Sequence, residues 1–142
     1  MSSLYGAGHA DAQTSAIAAQ TDAGKATAAQ TSSFTNSKQV EAYVRASYAD
    51  EPVLIDIASC ESNFRQFDET GQVLRGRVNK GDVGVMQINE KYHADEAVKM
   101  DLNIYTIEGN MAFAKHLYEK YGTDPWSSSA PCWTQLGGLA KK

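Results

Sequence analysis

The sequence predicts a mainly α-helical domain with a small β-hairpin lobe. Two observations carry this. Segments 37–62 and 106–122 repeat apolar residues at helical spacing, whereas 64–85 is broken by glycines at 71, 76, 81 and 84 and is rich in β-branched residues. Composition sets the scale: 142 residues, 42% hydrophobic and 21% charged, suit one compact domain with a single core.

Residues 1–36 stand apart. "DAQTSAIAAQTDAGKATAAQTSS" is Ala, Thr, Ser and Gln with Ile17 as its one large aliphatic residue, so it reads as a flexible tether or a frayed, partly helical arm. It has neither the basic start nor the apolar run of a signal peptide. The folded domain is expected over 37–136, with 137–142 a tail. "NSKQVEAYVRASYAD" opens it, Ser37 capping and Val40, Tyr43, Val44 and Tyr48 sharing a face. In "DEPVLIDIASCES", Pro52 sits in the first turn of a helix that is apolar nearly all round.

After Phe64 the glycines and a Thr70-Gly71 turn point to a hairpin or irregular lobe. "NEKYHADEAVKM" reads as a short helix. "TIEGNMAFAKHLYEKYG" reads as the clearest one, from a Thr106 cap to Gly122, with Ile107, Met111, Ala114, Leu117, Tyr118 and Tyr121 as its stripe. "DPWSSSAPCWTQLGG" looks loop-like and carries both tryptophans.

Several classes are excluded early. No apolar run approaches membrane-spanning length. A net charge of −4 with no basic block gives no support to a nucleic-acid partner. His9, His93 and His116 are scattered and the two cysteines form no CxxC pair, so no metal or cofactor is expected. Cys60 and Cys132 are either inert thiols or a bridge; a bridge would imply an oxidising compartment.

One residue breaks the helical pattern. Leu54, Ala58 and Glu61 are spaced to share a face, which sets an acid beside buried side chains. Apolar surroundings disfavour the charged carboxylate and raise its pKa, making a proton donor near neutral pH. The competing reading is a helix-end glutamate turned to solvent, and periodicity alone does not choose. "GDVGVMQIN" supplies a second feature: Gly84 for close backbone approach to a ligand, and Gln87 and Asn89 as paired donors and acceptors.

Glu61-Ser62, then Gly84-Val85-Met86-Gln87-Ile88-Asn89, then a helix containing Gly109-Asn110-Met111-Ala112-Phe113-Ala114, resembles the lytic transglycosylase and goose-type lysozyme families. The Gly-Asp-Val lead-in is similar to small secretion-system transglycosylases. The "SCES" run with a late tryptophan-cysteine segment is similar to resuscitation-promoting factors, and that likeness implies a Cys60–Cys132 disulfide. The resemblance implies a lysozyme-like fold cleaving the β-1,4 bond between N-acetylmuramic acid and N-acetylglucosamine, in a monomer acting on peptidoglycan strands outside the cytoplasm: extracellular, periplasmic or wall-associated. It makes Glu61 the general acid, has Met86 and Gln87 line the cleft, adds Asn89 and Tyr121 as glycan contacts, and has Ser62 support the local backbone. Asn110, in register with Ala114 and Leu117, should be buried and hydrogen-bonded.

Goose-type lysozymes carry an acid where this chain has Asn89. A hydrolytic base would then come from Asp68, Glu69 or Asp82, of which Asp82 is the best placed, although a turn role also fits it. Transglycosylation needs only one acid and is the favoured expectation; hydrolysis, or a wall-binding module with little catalysis, are the alternatives. The family's Ala-Tyr-Asn-Ala-Gly segment is missing, leaving Tyr118, Tyr121, Trp126 or Trp133 to replace its tyrosine.

Overall fold

The computed structural model describes residues 36–140, with side chains described through 137. The tether assigned to residues 1–36 lies outside this range except for Asn36. The described chain is mostly helical, with one two-stranded antiparallel sheet.

Helix α1 spans Ser37–Ser47, and Asn36 rather than Ser37 caps it, accepting from the Gln39 N–H at 2.9 Å. Val40, Val44 and Tyr48 bury its inner face, and the Tyr48 hydroxyl donates to the Met111 carbonyl at 2.6 Å. Helix α2, Pro52–Ser62, starts on its proline and buries Leu54, Ile55, Ile57 and Ala58. It stops because Asn63 turns left-handed at φ 55°, followed by Phe64 at φ 58°; the chain leaves the helix sharply just beyond Glu61.

The Thr70-Gly71 turn forms, with Asp68 Oδ1 accepting from the Thr70 and Gln72 N–H groups, but it closes only a single bridge, Phe67 to Val73. The regular sheet begins at the end of the 64–85 segment expected as a hairpin or irregular lobe and closes just beyond it. Strand β1, Asp82–Val83, pairs with β2, Ile88–Asn89, and Asp82 stands opposite Asn89. Helix α3, Glu90–Lys99, follows at once, capped by Asn89.

Helix α4, Ile107–Tyr121, runs from the Thr106 cap to Gly122 and supplies the centre of the core through Ile107, Met111, Phe113, Ala114 and Leu117. Two stripe assignments need correcting. Phe113, outside the expected stripe, is fully buried, packed between the His93 and His116 rings at 5.5 Å each. Tyr121, counted in the stripe, is 51% exposed. His116 is half-buried and lies 3.3 Å from the Glu96 carboxylate.

The C-terminal segment is the main departure. The stretch expected to be a loop is a 3₁₀ helix, Asp124–Ser129, running into helix α5, Ala130–Ala140, which packs along α2. The expected tail therefore begins inside a helix. Its hold on the domain is covalent and apolar: Cys132 is bonded to Cys60, and Trp126 and Trp133 are buried. A bridge spanning 72 residues stabilises by about 4 kcal/mol in the loop-entropy model.

Candidate active site

Glu61 sits in the last turn of α2, half-buried beside Ala58 and Leu54. Burial pushes its carboxyl above the usual range. A hydrogen bond from Ser129 pulls the other way, and the charge of Asp82 pushes up again, leaving the pKa raised.

Ser129 is the residue beside the acid that sequence reasoning missed. Its Oγ lies 2.5 Å from Glu61 Oε1 and 3.1 Å from the Trp126 carbonyl oxygen. A hydroxyl has one proton and can also accept. With Glu61 ionised, Ser129 donates to the carboxylate. With Glu61 protonated, Glu61 donates to Ser129, whose own proton turns to the Trp126 carbonyl. The carboxyl therefore keeps a partner in both charge states.

Ser129 is held in place by its surroundings. Trp126 Nε1 donates to the Met86 carbonyl at 2.9 Å, and Trp133 Nε1 donates to the Trp126 carbonyl at 3.1 Å. The 3₁₀ helix is thus fastened to the turn between the strands on one side, and it runs into α5, which the Cys60–Cys132 bond ties to the Glu61 helix. Three serines in a row after a tryptophan gave no pattern from which to pick Ser129.

Glu61 opens onto a groove in two lobes that share Asp82, Gln87 and Ser128. The larger, about 540 Å³, is bordered by Asn63, Arg65, Arg75, Arg77 and Asn79. The smaller, about 230 Å³, is bordered by Asn89, Tyr92, His93, Pro125 and Trp126. Burial pushes the His93 imidazole pKa down, which favours its neutral form. A separate cavity of about 380 Å³, lined by Asp50, Glu51, Asp56, Tyr118 and Trp133, does not include Glu61.

The Gly84–Asn89 stretch sorts differently from expectation. Gly84 has φ +77°, and a Cβ there would meet Asn110 Nδ2 at 2.4 Å; its close approach is to an internal amide, not to a ligand. Met86 is 0% exposed, so its side chain is core and does not line the groove. Gln87 does line both lobes, its Nε2 donating to the Gly84 carbonyl at 3.0 Å. Asn89 lines the smaller lobe while donating to Asp82 Oδ1 at 2.9 Å.

Asn110 explains the shape of the turn. It is fully buried, accepts from the Met86 N–H at 2.9 Å, and donates to the Val83 and Ile104 carbonyls at 2.9 and 2.8 Å. Gln66, also fully buried, does parallel work: its Oε1 accepts from the Val85 N–H at 2.8 Å and its Nε2 reaches the Tyr105 carbonyl at 3.3 Å. Nothing in its sequence neighbourhood marked Gln66. Ser62 is buried, donating to the Ala58 carbonyl and accepting from the Arg65 N–H, so it braces the helix end.

Of the three candidate second acids, only Asp82 lines the groove. Asp68 is committed to its turn, and Glu69 borders a different pocket near Asn36. Tyr121 borders neither lobe and lies against Lys120, so it is no part of this site. Tyr118 borders only the separate cavity. Among the described residues there is no cluster able to hold a metal ion.

Comparisons with protein-family models, with curated proteins and with solved structures find no match to this chain. The chemistry open to the groove follows from its own residues: one sheltered carboxylic acid, one hydrogen-bonded aspartate and a polar floor.

Proposed function

We propose that this chain is a peptidoglycan lytic transglycosylase of lysozyme-like fold, with Glu61 as its single catalytic acid. The observation that carries the reading is Glu61 itself: a half-buried carboxyl with a raised pKa, facing a groove and partnered by a hydroxyl that serves either charge state. Protonated Glu61 donates to the glycosidic oxygen between N-acetylmuramic acid and N-acetylglucosamine, and the bond from that oxygen to the muramyl anomeric carbon breaks. The muramyl 6-hydroxyl attacks the anomeric carbon and gives its proton to the Glu61 carboxylate. The product is a 1,6-anhydromuramyl end; the acid is regenerated and no water is consumed. Ser129 turns its proton toward Glu61 while the residue is ionised and away again once it is reprotonated.

Asp82 favours a second reading. It borders both lobes beside Glu61, and its charge is felt there. In an inverting hydrolase a second carboxylate activates water. Digesting purified peptidoglycan and weighing the products separates the readings: anhydro ends support transglycosylation, reducing ends support hydrolysis, and intact glycan leaves only wall binding. The Cys60–Cys132 bond supports a site of action in an oxidising compartment outside the cytoplasm. No helix among the described residues is long and apolar enough to cross a membrane.

A further inference from the structure

The arginines of this chain are unevenly placed. There are four in the sequence; Arg45 pairs with Glu41 on α1, and the other three, Arg65, Arg75 and Arg77, all border the larger lobe of the groove. None of the described lysines borders it. A chain of net charge −4 thus places three of its four guanidinium groups around one lobe of one groove.

Their commitments differ. Arg75 is already paired, donating to Glu90 Oε2 at 2.7 Å and to the Lys80 carbonyl at 2.9 Å. Among the described residues Arg65 uses only Nε, which donates to the Ser62 carbonyl at 3.2 Å, and its two terminal nitrogens have no partner there. Arg77 has no hydrogen-bond or ion-pair partner among the described residues. The backbone just before it makes a tight turn, since a Cβ on Gly76 would come within 2.4 Å of the Asn79 carbonyl oxygen. Anchoring one guanidinium by its Nε while freeing the fork is the arrangement that reads a planar oxyanion.

The glycan backbone offers no such anion: its hydroxyl and acetamido groups are neutral. Carboxylates occur on the peptide stem or, where the stem is absent, on the lactyl arm of the muramyl sugar, since the stem is joined to that arm as an amide. We propose that Arg65 and Arg77 form a carboxylate-reading subsite beside Glu61, which makes the preferred substrate the stem-bearing, acidic form of the glycan. This rests on the peptidoglycan reading above.

Binding tests it independently of cleavage. The Glu61→Gln protein is titrated calorimetrically with three soluble glycan fragments: stem-bearing, stem-bearing with its carboxyls converted to primary amides, and stem-free with only the lactyl carboxylate left. The amidated fragment should bind about tenfold more weakly than the acidic one, the loss expected when hydrogen bonds to a charged group are removed. That difference should shrink as salt is raised. Adding Arg65→Gln and Arg77→Gln together should make acidic and amidated fragments bind alike, with circular dichroism showing an unchanged fold. The stem-free fragment should bind weakly, because its one carboxylate lies on the sugar and not along the stem; tight binding of it would place the read carboxylate on the bare lactyl arm and overturn the preference for stem-bearing glycan. Equal affinity of the Glu61→Gln protein for acidic and amidated fragments overturns it, as does an arginine pair whose replacement changes nothing. Carboxylate-dependent binding without any cleavage by the unaltered protein sinks the enzymatic reading and leaves the subsite standing. Normal cleavage with no arginine effect does the reverse.

Discussion

The helical part of the molecule and the segment from Asn63 to Asn89 are held together by different means. In α1, α2 and α4 the organising force is apolar burial: Val44, Leu54, Ile57, Phe113 and Leu117 are almost completely removed from water. Between 63 and 89 there are only two strands of two residues each; Val73, Val83, Val85 and Met86 are buried there too, but buried side-chain amides also hold the backbone turn in shape. Asn110 comes from α4 and Gln66 from the loop itself, and together they satisfy the N–H groups of Val85 and Met86 and the carbonyls of Val83, Ile104 and Tyr105. Glu61 lies where the two regions meet. Packing sets how sheltered it is, and the hydrogen-bonded turn sets what faces it.

Changes that strike one region and spare the other sharpen this division. The largest effect is expected on activity. Glu61→Gln should lower muropeptide release by about 10²–10⁴-fold, the usual contribution of a general acid, with the thermal midpoint little changed. Wild-type release rates from that variant would remove Glu61 from the chemistry.

Next comes the covalent tie. Replacing Cys60 and Cys132 together with serine should cost about 4 kcal/mol in urea unfolding, matching the unaltered protein measured in reductant. An unchanged urea midpoint would show that α5 is held by packing alone.

Asn110→Leu tests the hydrogen-bonded region. It orphans one buried N–H and two carbonyls at about 1–3 kcal/mol each, so a loss of at least about 3 kcal/mol is expected by urea titration. A loss below about 1 kcal/mol would mean that the turn keeps its shape without the amide.

The smallest and most specific effects concern pH. Glu61 acts while protonated, so activity is present below its raised pKa and is lost as pH climbs through it. Ser129→Ala removes a hydrogen bond that lowers this pKa and should move the basic limb of the rate profile to higher pH. Asp82→Asn removes a charge that raises it and should move the limb to lower pH. Shifts in the same direction would break the electrostatic account. Complete loss of cleavage in Asp82→Asn, rather than a shift, would favour hydrolysis with Asp82 as base.

The two regions also differ in how far they could be read in advance. Helices at 37–47, 52–62, 90–99 and 107–121 follow from spacing, caps and the proline and glycine at their ends, all local properties of the chain. The burial of Asn110 was legible for the same reason, because its register with Ala114 and Leu117 is a helical one. The 3₁₀ helix and α5 were not, since Pro125, Pro131 and three serines speak locally for a loop. What makes them helical is packing along α2 and the covalent link to Cys60. Met86 and Gly84 were misplaced because a Gly-rich run looks the same whether a ligand or an internal amide approaches it.

By itself the sequence determined which segments are helical through the middle of the chain, that an acid ends the most apolar of them, and that no membrane-spanning apolar run is present. Only the tertiary structure decided that Ser129 is the partner of this acid, that Asp82 rather than Asp68 or Glu69 shares its groove, and that three arginines border one lobe of it. The physical reason is range. Periodicity and capping act over a few residues, whereas the hydrogen bond from Ser129 to Glu61 joins groups 68 positions apart and exists only once the core has brought them together.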